Sequence, residues 1–175
     1  SLRVELADAI ADWIDTDSEP QPQDGAEDAV YRSLQPPYLA ANRPLIDVAE
    51  LALVRGFDDD VRARLRPHVS ALPRPTAVNA NTASPEVLAA VVEGLSLDDA
   101  RAMVEQRGRT YFRNVTDFTG QLPSGAIAPA DGISVGSDYF IATTRITIGE
   151  AQALGSALLA REKTGWPAIV WRKRP

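Results

Sequence analysis

From about residue 123 the period of the chain changes, and that change sets the fold class. YFIATTRITI alternates with period two, which puts Phe140, Ala142, Thr144, Ile146 and Ile148 on one face of a strand. AQALGSALLARE has helical propensity, yet Ala151, Ala153, Gly155 and Ala157 alternate with Gln152, Leu154, Ser156 and Leu158. GEAQ before it and KTGWP after it read as hairpin turns, and AIVWRKR completes an antiparallel set, so the pattern favours strand over helix. Three strands rarely bury an apolar face alone, and a helix or further strands are expected to complete the sheet from upstream.

Before residue 123 the signals are helical. LADAIADWID sets Leu6, Ile10, Trp13 and Ile14 on an inward stripe and Glu5, Asp8, Asp12 and Asp15 on the opposite, outward one. PPYLAANRP is an extended linker, after which Asp47 and Glu50 form a reciprocal cap for a helix over VAELALV that stops at Gly56. Asp58 caps a short helix that Pro67 ends, and His68, the only histidine, falls in the loop beyond. Ser84 and Pro85 start another helix, GLS turns into LDDARAMVEQRG, and Thr116 or Asn114 opens a last one around DFTGQL. The expectation is an all-α unit over about residues 1 to 122.

Residues 12 to 28, DWIDTDSEPQPQDGAED, hold seven acidic side chains and no basic one. Like charges three and four apart repel, and those at a helix end also face the negative pole of the macrodipole. Two readings stay open: a solvated acidic loop, or a cation site in which Asp12, Asp15 and Asp17 leave a helix end and Asp24, Glu27 and Asp28 return after the loop. Calcium, with six to eight oxygen ligands on flexible loops, suits the second reading; the spacing is not that of an EF-hand, and magnesium would want fewer protein oxygens.

Composition narrows the function. Against 24 acidic residues there are 18 basic ones, a net charge of -6 that disfavours phosphate-rich partners and favours cations. NANTASPEVLAAVVEGLSLDDARAMVEQRG resembles a helix-hairpin-helix module, but its hairpin is Gly94, Leu95, Ser96, without the second glycine. Asp98 and Asp99 follow where a phosphate would sit, and Arg101, Arg107, Arg109 and Arg113 are the counterweight. A helix-hairpin-helix nucleic-acid-binding protein is therefore the alternative reading. There is no cysteine, no Ser/His/Asp set and no nucleotide-binding glycine motif, so an enzyme is not expected. No apolar run approaches a membrane span, and a chain opening on Ser1 rather than methionine is expected to continue upstream, with any targeting segment there.

The order DWIDTD, DGAEDAVY, PPYLAANRPLIDVAELALVRGF, VNANTASPEVLAA, EQRG and finally SDYFIA resembles the protein K family of the type II secretion system, the large minor pseudopilins. The resemblance implies an α+β fold, an inserted all-α domain over residues 1–135 followed by antiparallel strands of a truncated pseudopilin core over 136–175. It implies a non-enzymatic protein of the bacterial inner membrane with this part in the periplasm, anchored through an upstream helix absent from this chain. The implied partners are the I-type and J-type minor pseudopilins in a pseudopilus tip complex, with secreted proteins as further candidates and no nucleic acid. It also implies calcium in the helical domain, carried here onto Asp12, Asp15, Asp17, Glu27 and Asp28, with Asp24 outside the regular part of the motif.

Overall fold

The computed structural model describes residues 3–162 and 164–174. The chain divides into two compact units, one ending at Pro75 and the other beginning at Thr76. This division lies inside the segment expected to be helical throughout.

The first unit is helical. Helix α1 (Glu5–Ile14) is followed by the acidic loop, a short α2 (Asp28–Arg32), a 3-10 helix (Val48–Leu53) and α3 (Asp59–Leu65). The inward stripe of α1 differs from expectation: Leu6, Ala9, Asp12 and Trp13 are buried, whereas Ile14 is 37% exposed. Asp12 turns inward because it has a partner there. Both of its carboxylate oxygens accept from the Gln21 backbone N–H at 3.2 Å.

VAELALV forms a 3-10 helix rather than an α-helix, with both halves of the Asp47/Glu50 capping box in place. The reason lies in the spacing. Val48 and Leu51, three residues apart within the helix, both join the core, and in a 3-10 helix that spacing is one full turn along one edge. That edge packs on the same core as Trp13 and Tyr31, whose rings meet edge to face at 5.0 Å, with Tyr38 stacked on Tyr31 at 5.4 Å.

The second unit begins with β1 (Val78–Asn79), continues through α4 (Pro85–Val91), α5 (Leu97–Arg107), α6 (Val115–Thr119) and β2 (Ile133–Ser134), and ends in β3 (Tyr139–Ile148), β4 (Ala151–Ala160) and β5 (Ala168–Lys173). Ser84, Ser96 and Asn114 cap the three helices, which settles the last cap on Asn114 rather than Thr116. The segment before residue 136 is not wholly helical, because β1 and β2 pair in parallel. Two-residue strands carry no periodicity, so nothing in the pattern announced them. Asn81 fixes this junction: its amide bridges the backbone N–H and C=O of Phe112, at 2.8 and 2.9 Å, and also reaches the Val135 carbonyl.

The three long strands are antiparallel in the order β3-β4-β5. A two-residue turn joins β3 to β4, with Gly149 at φ 60°, a left-handed conformation that the residue adopts at little cost. Lys163, in the second expected turn, lies outside the described residues. Register places Phe140, Ala142, Thr144, Ile146 and Ile148 opposite Leu159, Ala157, Gly155, Ala153 and Ala151 on one face. Between β4 and β5 the register shifts at Leu158/Leu159. The face carrying Phe140 and Ile148 is open, with these residues 43% and 76% exposed.

Candidate metal centre

The acidic loop folds back on α1. Asp12 holds Gln21, Asp8 accepts from the Gln23 N–H at 3.3 Å, and Gly25 lies so close to Asp12 Oδ2 and the Gln21 backbone that a Cβ would collide with both. This packing brings carboxylate oxygens of Asp15, at the end of α1, Asp17, two residues on, and Glu27, just before α2, within 4.8 Å of one another. Asp15 is half-buried, Asp17 is exposed and Glu27 is only 6% exposed.

Three carboxylates at this separation repel. Burial raises the Asp15 carboxyl above its ordinary 3.8, and the charges of Asp17 and Asp12 add to the rise. Burial likewise raises Glu27 above its ordinary 4.5, helped by Asp12, Asp15 and Asp17, while the Asp28 amide pulls the other way without reaching hydrogen-bond geometry. Among the described residues, no arginine or lysine forms an ion pair with any of the three.

Of the other acids of the segment, Asp12, Asp24 and Asp28 have partners elsewhere. Asp28 pairs with Arg32 at 3.0 Å and accepts the Ala40 N–H at 3.1 Å, and Asp24 pairs with Arg55 at 2.7 Å. Asp12 holds the loop through Gln21 and is not grouped with the three. Sequence reasoning missed Arg55, Gln21 and Gly25, which shape the loop. Gly25 is legible only as DG, a turn signal, and the other two leave no local trace.

A hard cation fits this donor set. Asp15 Oδ1 and both Glu27 oxygens are buried and accept no hydrogen bond, which is costly for carboxylates unless something outside the chain completes them. All donors are oxygens, on a loop and at a helix end, as calcium prefers. Asp15, Asp17 and Glu27 would hold the ion, which would supply positive charge where the chain provides none.

The second candidate site does not fit its ligand. Gly94 has the left-handed φ of 73° that a tight hairpin needs, but Glu93 exchanges backbone hydrogen bonds with Ile127, at 3.0 and 2.8 Å, and a Cβ on Gly94 would lie 2.8 Å from the Gly125 carbonyl oxygen. The 123–127 loop thus packs on the start of the hairpin, at Glu93 and Gly94. Arg101 is paired with Asp98, and Arg107 donates to the Ala80 carbonyl at 2.5 Å.

Two family models, both described as type II secretion system (T2SS), protein K, match residues 1–74 and 78–136. The chain belongs to the type II secretion system protein K family. It is 40% identical over 161 residues to type II secretion system protein K of Pseudomonas aeruginosa, covering 91% of this chain and 48% of that protein. Its identity to protein K of Aeromonas hydrophila is 37% over 168 residues, and to that of Klebsiella pneumoniae 36% over 167 residues, each covering 91% of this chain and 51% of the relative. The chain thus spans about half the length of the curated relatives it matches. In three dimensions it matches a chain in the crystal structure of the GspK-GspI-GspJ complex of the enterotoxigenic Escherichia coli type 2 secretion system. That match has a TM-score of 0.81 and 27% identity and covers 98% of this chain and 62% of that one. The mixture of helices with an antiparallel sheet is common to both. Among the described residues of this protein K relative, no helix is long and apolar enough to cross a membrane.

Proposed function

We propose that this chain is the periplasmic part of a non-enzymatic minor pseudopilin at the tip of a type II secretion pseudopilus, where it caps or initiates assembly with I-type and J-type partners and supports protein export. The observation that carries the reading is the match of nearly the whole chain to a chain of the GspK-GspI-GspJ complex. A tip role follows from bulk. A subunit whose helical part is too bulky for another subunit to stack on it terminates or starts a filament and cannot sit within one.

In this reading residues 136–175 contribute strands to a pseudopilin core, and residues 1–135, mostly helical but including β1 and β2, form the inserted part. The exposed apolar face around Phe140, Ile146 and Ile148 supports the first part, since such a surface is normally covered by a packed element. The protein is held at the bacterial inner membrane through a segment other than residues 1–175. Calcium on Asp15, Asp17 and Glu27 fixes the acidic loop, supported by their mutual distances and by the buried oxygens that lack a partner. The nucleic-acid alternative has no support, because the start of its hairpin is packed against the 123–127 loop and the hairpin is flanked by acids.

Size-exclusion chromatography of this chain with the periplasmic parts of I-type and J-type pseudopilins, in calcium and in chelator, tests the assembly. Co-elution of all three is expected in calcium. If the three elute separately in both buffers, residues 1–175 do not carry the tip interface.

A further inference from the structure

Three carboxylates supply three to six of the six to eight oxygens that calcium uses, depending on how many bind through both oxygens, which leaves room for a further ligand. Among the described residues, the buried side-chain oxygens without a hydrogen-bond partner are Asp15 Oδ1, Glu27 Oε1 and Oε2, and Asn42 Oδ1. Asn42 lies far along the chain from the acidic loop, yet the strap leading to it is tied to both segments that carry the carboxylates. At one end the Ala40 N–H donates to Asp28 Oδ1, beside Glu27; at the other the Asn42 N–H donates to the Trp13 carbonyl at 3.0 Å, two residues before Asp15.

Asn42 also has a left-handed backbone, φ 45°, the one such non-glycine residue among those described. Asparagine tolerates this region better than most residues, often because its side chain bonds nearby backbone, but here the amide oxygen accepts nothing. A buried acceptor left open costs free energy, and a strained backbone adds to that cost. Both are offset if the oxygen has a ligand outside the chain.

We propose that Asn42 supplies a neutral amide oxygen to the cation held by Asp15, Asp17 and Glu27. The inference rests on the metal reading given above. A fourth carboxylate would add repulsion, whereas an amide raises the number of oxygens without adding charge. That arrangement suits calcium better than magnesium, which keeps several of its waters.

Calorimetric titration of Ca2+ into chelator-stripped protein tests this with two variants. Asn42→Gly keeps a residue that accepts φ 45° and deletes the oxygen; it is expected to weaken calcium binding at least about tenfold without lowering the metal-free melting temperature. Asn42→Asp is expected to bind at least as tightly as the parent and to melt lower without metal, because a further negative charge joins the group. It decides the matter should the glycine variant not fold. Binding equal to the parent in Asn42→Gly, or weaker binding in Asn42→Asp, overturns the role of Asn42 and leaves the carboxylate site standing. No calcium binding by the parent itself removes the metal reading and this inference together.

Discussion

The guanidinium of Arg55 lies 2.7 Å from the Asp24 carboxylate, and its second terminal nitrogen donates to the Gly25 carbonyl at 3.3 Å. Arg55 follows the 3-10 helix, so this contact ties the returning arm of the acidic loop to the segment after that helix. It also takes Asp24 out of the acidic group. The pair is about 40% exposed on each side, so it contributes at most about 1 kcal/mol, and its effect is to place the loop.

Asp24 is accordingly expected to be dispensable for metal. Asp24→Asn should leave the calcium dissociation constant within about twofold of the parent in a calorimetric titration, because its carboxylate is already spent on an exposed ion pair. Asp15→Asn under the same conditions should weaken binding severely.

Asp12 should matter as an acceptor rather than as a charge. Asp12→Asn and Asp12→Ala both remove the negative charge, but only the first leaves an oxygen for the Gln21 N–H. Urea unfolding is expected to find the alanine variant less stable than the asparagine variant by about 1 to 3 kcal/mol, the cost of leaving a buried donor open. Equal stability would mean that the hydrogen bond does not anchor the loop.

The metal-free protein should lose stability as pH rises. Asp15 and Glu27 have folded-state values raised above 3.8 and 4.5, so between those ordinary values and the raised ones the native state binds more protons than the unfolded state. Stability from these two groups is then fully present below their unfolded values and is lost as pH climbs through the folded ones. In chelator, the melting temperature of the parent should fall across that window more than that of Glu27→Gln. With saturating calcium, which favours the ionised forms, the fall should vanish or reverse.

The second unit should depend on Asn81. Asn81→Ala leaves the Phe112 N–H and C=O without their partner, and amide hydrogen exchange should quicken at Phe112 and across β1 and β2, with Trp13 and Tyr31 in the other unit unaffected. Uniform quickening in both units would show that the units unfold together.

Much of this fold is readable in the residues, and what is not has an identifiable cause. The caps at Ser84 and Asp58 and the Asp47/Glu50 box act over two to four residues, so sequence alone exposes them. The strands alternate cleanly enough that β4 is legible despite its alanines. By contrast, the inward turn of Asp12 depends on Gln21, and the pairing of β1 with β2 joins residues more than fifty positions apart. The acids of the site are visible as a group, but which of them converge is set by Arg55, Arg32 and Ala40. Those partners reach Asp24 and Asp28 first.

The most direct test is thermal unfolding of the chain in calcium and in chelator, for the parent and for the Asp15→Ala, Asp17→Ala double variant. The parent is expected to melt several degrees higher in saturating calcium, as mass action on a native-state site requires, and the double variant is expected to show no rise. A parent that melts at the same temperature in both buffers, or a double variant that keeps the full rise, would contradict a cation held by the acidic loop.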